Sequence, residues 1–377
     1  MIKKICIVAG ARPNFVKVAP LIRAIKNAED AEYELVYIGR EDDATLEPSL
    51  FDDLQMPRPS VFFDVDSISL NEITSRVMAC FDAYLDSHPA DVVIVVDDLA
   101  STMAAAIVTK KRGLRLAHLV AGTRSFDMNM PKEVNRLVID ALSDYLFTAG
   151  IRSNSVAARE QSDSNNTYMV GNILMDTLRF NYQRFRQPQL SSLTSINSPL
   201  GFAAWPGQEL SPHNYLVFTL NRKALLADET NLKNMLCAIC DAAGDTPIIA
   251  PLRGKALEIM TRLISSALPL TSRFFPLPSL SYLEFGWLTA HAKGIITDSG
   301  NVAEEATFNG VPCITLNRYT EHQETVTVGS NVLVGEDPQQ LREEVERMVS
   351  GQWKKSALPD RWDGRTAERI VKILLER

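Results

Sequence analysis

The sequence predicts an α/β protein made of two Rossmann-like, doubly wound domains facing a cleft, and three observations carry that prediction. Short β-branched runs alternate with longer helix-patterned segments along both halves of the chain. The runs are almost continuously apolar, as strands buried on both faces of a parallel sheet must be. The alternation lapses once, around 181–214, where four prolines fall among Ser, Gln and Asn. A chain of 377 residues is also too long for most single cores.

In order, residues 5–8 read as a strand, 16–28 as a helix and 33–38 as a strand. Next come a helix at 70–87, a strand at 92–96, a helix at 101–112 and a strand at 116–120. A helix at 131–143 and a strand at 145–148 close the first half. Beyond the lapse, strands are expected at 215–219, 247–250, 274–275, 294–297 and 311–316, with helices between them and a last helix at 365–376. The expected domains are therefore 1–185 and 186–360, with 361–377 packing back toward the first. Open sheets of this kind bind ligands beyond the carboxyl ends of their strands, so the strand-end loops are where function is sought.

Bulk properties narrow the partners. A net charge of −7 and a pI near 5.4 argue against nucleic acid and anionic membranes, which need an excess of Lys and Arg. No segment approaches the roughly 20 apolar residues of a membrane span. The apolar start of the chain runs into Gly10-Ala11-Arg12-Pro13 without a small-residue cleavage pattern, which favours a first strand over a signal peptide and a cytoplasmic protein. Cys237 and Cys240 have C-x-x-C spacing, but they sit in a helical-looking run at 231–243 with no second pair, so packing rather than metal or redox chemistry is expected.

Several strand ends carry polar motifs. Gly10 permits a tight turn before a helix, Pro13 suits an early helical position, and Arg12 is placed to reach a phosphate. The spacing is not G-x-G-x-x-G, so no dinucleotide cofactor is expected. Asp97-Asp98 closes the strand at 92–96, as a base or as the cap of the next helix. Arg124 and Glu133 follow the strand at 116–120, and Arg222 follows the one at 215–219. The clearest motif is Thr297-Asp298-Ser299-Gly300, where a buried strand passes straight into a helix whose free N–H groups suit an anion. Glu304 and Glu305 follow, and paired carboxylates suit the vicinal hydroxyls of a ribose.

Taken together, these motifs resemble the non-hydrolysing UDP-N-acetylglucosamine 2-epimerase family, in order over roughly residues 3–335 and most densely at 10–20, 117–127, 130–144, 297–305 and 310–335. The resemblance implies a glycosyltransferase-B-like fold, usually dimeric, needing neither metal nor nicotinamide. It implies inversion of the sugar's C2 by loss of UDP to a glycal and re-addition on the other face. Arg12, Arg222, Ser299 and Gly300 match positions at the diphosphate, with Asn221 beside them, Glu305 at the ribose and Phe285 at the uracil. Lys17, Asp98, Arg124, Glu133 and Arg136 match positions at or near the reacting centre.

Departures cluster at the same loops. The family's Gly-Asp is Asp97-Asp98, its Glu-Ala-Gly is Val120-Ala121-Gly122, and its Thr-Leu-His-Arg is Thr219-Leu220-Asn221-Arg222. Its Gly-Gln-His is Gly39-Arg40-Glu41, its Val-His-Pro is Pro251-Leu252-Arg253, and its Glu-Arg-Pro-Glu is Glu321-His322-Gln323-Glu324. Losing an acid/base group typically costs ~100- to 10,000-fold in rate, and losing an oxyanion donor ~100- to 1,000-fold. Three functions follow: a divergent epimerase, a UDP-sugar-binding protein or regulatory subunit without turnover, and a glycosyltransferase of the same fold. The expected partners are UDP or a UDP-sugar and a second copy of the chain, with an active paralogue as the alternative.

Overall fold

The computed structural model describes residues 2–160, 164–189, 210–265 and 273–376. The middle of the expected domain junction, 190–209, lies outside the described residues. The chain divides into two compact units, Met1–Phe180 with Asp360–Arg377, and Asn181–Pro359. Each is a parallel sheet with helices in its crossovers, so the chain is two Rossmann-like α/β domains.

The sheet of the first unit contains β1 (Lys3–Ala9), β2 (Ala31–Tyr37), β3 (Val61–Phe62), β4 (Val92–Val96), β5 (Arg115–Ala121), β6 (Tyr145–Thr148) and β7 (Thr167–Met169). Their order is β3-β2-β1-β4-β5-β6-β7, and every pair is parallel. All five residues of β4 are fully buried, which is why its run is apolar without alternation. The order reverses between β1 and β4, which makes their carboxyl ends a topological switch point.

Helix α1 (Arg12–Lys26) starts four residues before the apolar periodicity suggested. Pro13 sets the first turn, and Asn14 accepts from the Gly10 and Ala11 N–H groups at 2.9 and 3.0 Å. Pro20, inside this helix, has no N–H for the Val16 carbonyl, and Thr177 Oγ1 donates to that oxygen at 2.6 Å instead. The chain's end returns to this unit. Trp362 is buried with Nε1 donating to the Ala149 carbonyl at 3.0 Å, and the last helix, Thr366–Glu376, packs on α1. Asp176 caps that helix by accepting from Thr366 N and Ala367 N at 3.0 and 2.8 Å, and burial pushes its carboxyl up to about 6.

The second unit repeats the plan with β8 (Leu216–Thr219), β9 (Ile248–Pro251), β10 (Phe274–Leu277), β11 (Gly294–Thr297), β12 (Cys313–Thr315) and β13 (Asn331–Leu333). The order is β10-β9-β8-β11-β12-β13, again parallel, with its switch point between β8 and β11. Cys237 and Cys240 lie on the helix Glu229–Ala243, and Cys240 belongs to the buried core, where desolvation pushes its thiol up to about 12. No described helix is long and apolar enough to cross a membrane.

Candidate active site

Both switch points carry the motifs that the sequence singles out. At the first, Gly10 packs so closely on the start of the helix Ala100–Lys111 that a Cβ there would lie 2.4 Å from Ser101 Oγ. Asn14 binds the Gly10–Ala11 backbone through its oxygen and donates its amide to Asp97 Oδ2 at 2.7 Å. Lys17, itself buried, pairs with Asp97 Oδ1 at 2.5 Å. Asp97 is thus held from both sides in a left-handed conformation, φ 60°. Arg12 opens α1, with Nη2 3.4 Å from Glu47 Oε2. A cavity of about 550 Å³ lies here, lined among others by Gly10, Ala11, Gly39, Asp42, Asp66 and Ser101.

Asp98 and Glu133 are joined through one guanidinium. Arg136 donates Nε and Nη2 to Asp98 Oδ2 at 2.8 and 2.5 Å, and Nη1 to Glu133 Oε2 at 3.1 Å. Lys132 approaches Asp98 Oδ1 at 3.3 Å. Burial raises the Asp98 carboxyl, but Lys132 and Arg136 outweigh it and hold the group below the usual carboxylate range. Glu133 likewise stays low despite desolvation, because it accepts from Ser125 N, Ser125 Oγ and Phe126 N, each at 2.9 Å, as well as from Arg136. Both acids are therefore carboxylates at neutral pH.

Arg124 is placed differently from the cation that its strand-end position suggests. Its guanidinium is buried and committed to Glu160 (Nε 3.1 Å, Nη2 2.5 Å), to the Thr123 carbonyl (2.8 Å) and to Asp140 Oδ2 (2.7 Å). Val120, where the family pattern has Glu, sits at φ 73° on a bulge that shifts register between Leu119 and Ala121. A left-handed conformation is a real outlier for a β-branched residue.

At the second switch point, Asp298 Oδ2 accepts from Asn221 N and Arg222 N at 2.8 and 2.5 Å, which ties the loop after β8 to the end of β11. Thr219 and Thr297 share a hydroxyl contact of 2.6 Å across the strands. The Arg222 guanidinium meets Asn317 Oδ1 at 2.6 Å and pairs with Glu336. Ser299 is the N-cap of the helix Gly300–Asn309, yet its side chain makes no capping hydrogen bond. A Cβ built on Gly300 would meet nothing within 4 Å, so space is open in front of that helix start. On the same helix, burial and then the charge of Glu304 push the Glu305 carboxyl up to about 8. His322, where the family pattern has Arg, lies with Nε2 3.7 Å from Glu304 Oε1. Phe285 is half-buried on the helix Tyr282–Ala290, against the core under β8 and β11.

Arg12, Lys17, Asp98, Arg124, Glu133 and Arg136 belong to the first unit, and Asn221, Arg222, Phe285, Ser299, Gly300 and Glu305 to the second. Sequence reasoning passed over Asn14, His118, Asp140, Asn317 and Glu336. Asn14 alone had a local signal, as an amide in the first turn of a helix that Pro13 opens. Among the described residues, no group of three or more His, Cys, Asp or Glu is arranged to hold a metal.

Two parallel α/β domains, each with loop residues tied across its switch point, define a protein of the nucleotide-binding Rossmann-like class. The family model for UDP-N-acetylglucosamine 2-epimerase matches residues 23–375, and the chain belongs to that family. It is 30% identical over 376 residues to the UDP-N-acetylglucosamine 2-epimerase of Methanocaldococcus jannaschii, covering 98% of each chain. It is 30% identical over 335 residues to the UDP-2,3-diacetamido-2,3-dideoxy-D-glucuronate 2-epimerase of Pseudomonas aeruginosa, covering 88% of each. The crystal structure of the M. jannaschii enzyme in complex with UDP-GlcNAc and UDP superposes with a TM-score of 0.82 at 29% identity, covering 99% of this chain and 100% of that one.

Proposed function

We propose that the chain binds a UDP-sugar and interconverts its C2 epimers, UDP-GlcNAc and UDP-ManNAc or a related pair. The observation that carries the reading is the second switch point. Asp298 fixes Asn221 and Arg222 at a helix start whose Ser299 hydroxyl and Gly300 space are left for an anion. In this reading the second unit holds UDP, with Glu305 at the ribose and Phe285 beside the uracil. Arg12 and Arg222 balance the charge of the departing diphosphate.

The first unit handles the proton. Asp98, ionised by its cationic neighbours, takes the proton from C2. The freed electron pair forms the C1=C2 bond as the C1–O bond breaks and UDP leaves with its electrons. Re-addition of UDP, with a proton delivered to the opposite face of C2, gives the epimer. Glu133 is the second acid of this proton traffic, Arg136 orients both carboxylates, and Lys17 and Arg124 support the loops that carry them. The chain works in the cytoplasm as a homodimer or beside an active paralogue.

A second reading, a UDP-sugar-binding protein or regulatory subunit without turnover, is favoured by Val120 and by the full engagement of Glu133. Valine transfers no proton, and a carboxylate holding a loop and an arginine gives little ground to a substrate. Proton NMR of UDP-GlcNAc with the purified chain in D₂O decides. UDP-ManNAc carrying deuterium at C2 is expected. Binding by calorimetry without either signal selects the second reading, and no binding of UDP overturns both.

A further inference from the structure

Resting on that reading, we propose that His118 is the positioning residue for the Asp97–Asp98 turn. His118 lies in β5, 1% exposed, with both ring nitrogens engaged. Nε2 is 3.0 Å from the Asp97 carbonyl oxygen, which can only accept, so Nε2 carries a proton. Nδ1 is 2.5 Å from Asp140 Oδ1. Asp140 is buried too, and its other oxygen accepts from Gly122 N at 3.0 Å and Arg124 Nη2 at 2.7 Å. Desolvation would raise this carboxyl, but His118 and Arg124 hold it low.

This histidine–aspartate pair sets the ends of two strands. Through Nε2–H it aims the carbonyl of Asp97, whose N–H donates to the Leu119 carbonyl at 3.3 Å and whose φ is 60°. Asp98 follows directly, its own carbonyl held by Asn135 Nδ2 at 2.8 Å and its carboxylate delivered to Arg136. Through Asp140 the same pair holds Gly122 N in the loop that contains the left-handed Val120 and Gly122. His118 touches no position assigned to the sugar. Its effect runs through the backbone that aims Asp98.

The two ring nitrogens separate the roles. His118→Gln places an amide donor near Nε2 and keeps the hold on Asp97, whereas His118→Asn places one near Nδ1 and loses it. His118→Asn is expected to raise the titration midpoint of the Asp98 carboxyl, as it slips from Arg136, and to lower kcat at least ~10-fold with KM within ~2-fold. His118→Gln restores most of both. An Asp98 midpoint unmoved in His118→Asn overturns the proposal. If the asparagine variant does not fold, the glutamine variant still decides: an Asp98 midpoint and a kcat near wild type are expected, and loss of either overturns the proposal. If wild type shows no C2 exchange, the epimerase reading falls, while the Asp98 titration judges His118 on its own.

Discussion

At the first switch point a neutral amide makes the tie: Asn14 takes the Gly10 and Ala11 N–H groups and gives its own N–H to Asp97. At the second a carboxylate makes it, with Asp298 taking the Asn221 and Arg222 N–H groups. Around Asn14 the charged groups are spent on one another, Lys17 on Asp97 and Arg136 on Asp98 and Glu133. Around Asp298 the Ser299 side chain caps nothing and the space over Gly300 is empty of protein. The same fold thus makes one strand-end loop set rigid and ionised, and leaves the other open. Moving a proton demands fixed acids with set charge, whereas docking a diphosphate demands unused donors and room. One location can hardly satisfy both.

The largest expected effect comes from returning proton chemistry to each side. The double variant Val120→Glu with Asn221→His is expected to raise C2 deuterium exchange by ~100-fold or more over wild type, measured by NMR in D₂O. No gain would mean that the loss of function, if any, lies elsewhere than at these two positions. Next in size is the cost of cutting the ties. Asn14→Ala strands two main-chain donors and leaves Asp97 leaning on Lys17, at a stability cost of about 3 kcal/mol. Asp298→Ala also frees two donors, but in a half-exposed setting where water replaces the acceptor, at about 1 kcal/mol. Equal costs in urea melts would erase the contrast between a rigid end and an open one.

Gly300→Leu tests openness alone. A Cβ added there meets no atom within 4 Å, and the backbone there is not left-handed. Its melting temperature should match wild type while affinity for UDP in calorimetry falls at least ~10-fold. Unchanged affinity would move the nucleotide away from this helix start.

The central strands were legible because burial on both faces leaves long β-branched runs, and the two switch points followed from the polar residues that end them. Strands as short as Val61–Phe62 and Thr167–Met169 were missed, since two or three residues carry no period. The apolar spacing began α1 four residues late, because its first turn is fixed by Pro13, which the strand-end motif did place there, and by Asn14. His118 and Asp140 are 22 residues apart, and no local rule pairs a strand histidine with an aspartate on the following helix. Arg124 shows the same limit. Its place at a strand end was readable, but its direction depends on Glu160 and Asp140, which only the folded chain brings near.

The smallest expected effect concerns Glu305, a strongly raised carboxyl at the open end. Its carboxyl is pushed from an ordinary 4.5 to about 8, by burial first and by Glu304 second. Below about pH 4.5 the group is protonated in folded and unfolded chains alike, and its contribution to stability is fully present. As pH rises toward about 8 the unfolded chain gives up a proton that the folded chain keeps, so stability drains across that window and levels off above it. Glu305→Gln removes the drain. Its melting temperature relative to wild type should therefore climb between about pH 5 and about pH 8.5, by the equivalent of about 1 kcal/mol or more. A gap that stays flat with pH would show that Glu305 is not the buried acid described. Ribose hydroxyls that donate to the ionised form would pull the midpoint down, so UDP binding at about pH 7.5 should release protons and give a heat that changes with the buffer's ionisation enthalpy. Heat independent of buffer would take Glu305 away from the ribose while leaving the rest of the helix start to the diphosphate.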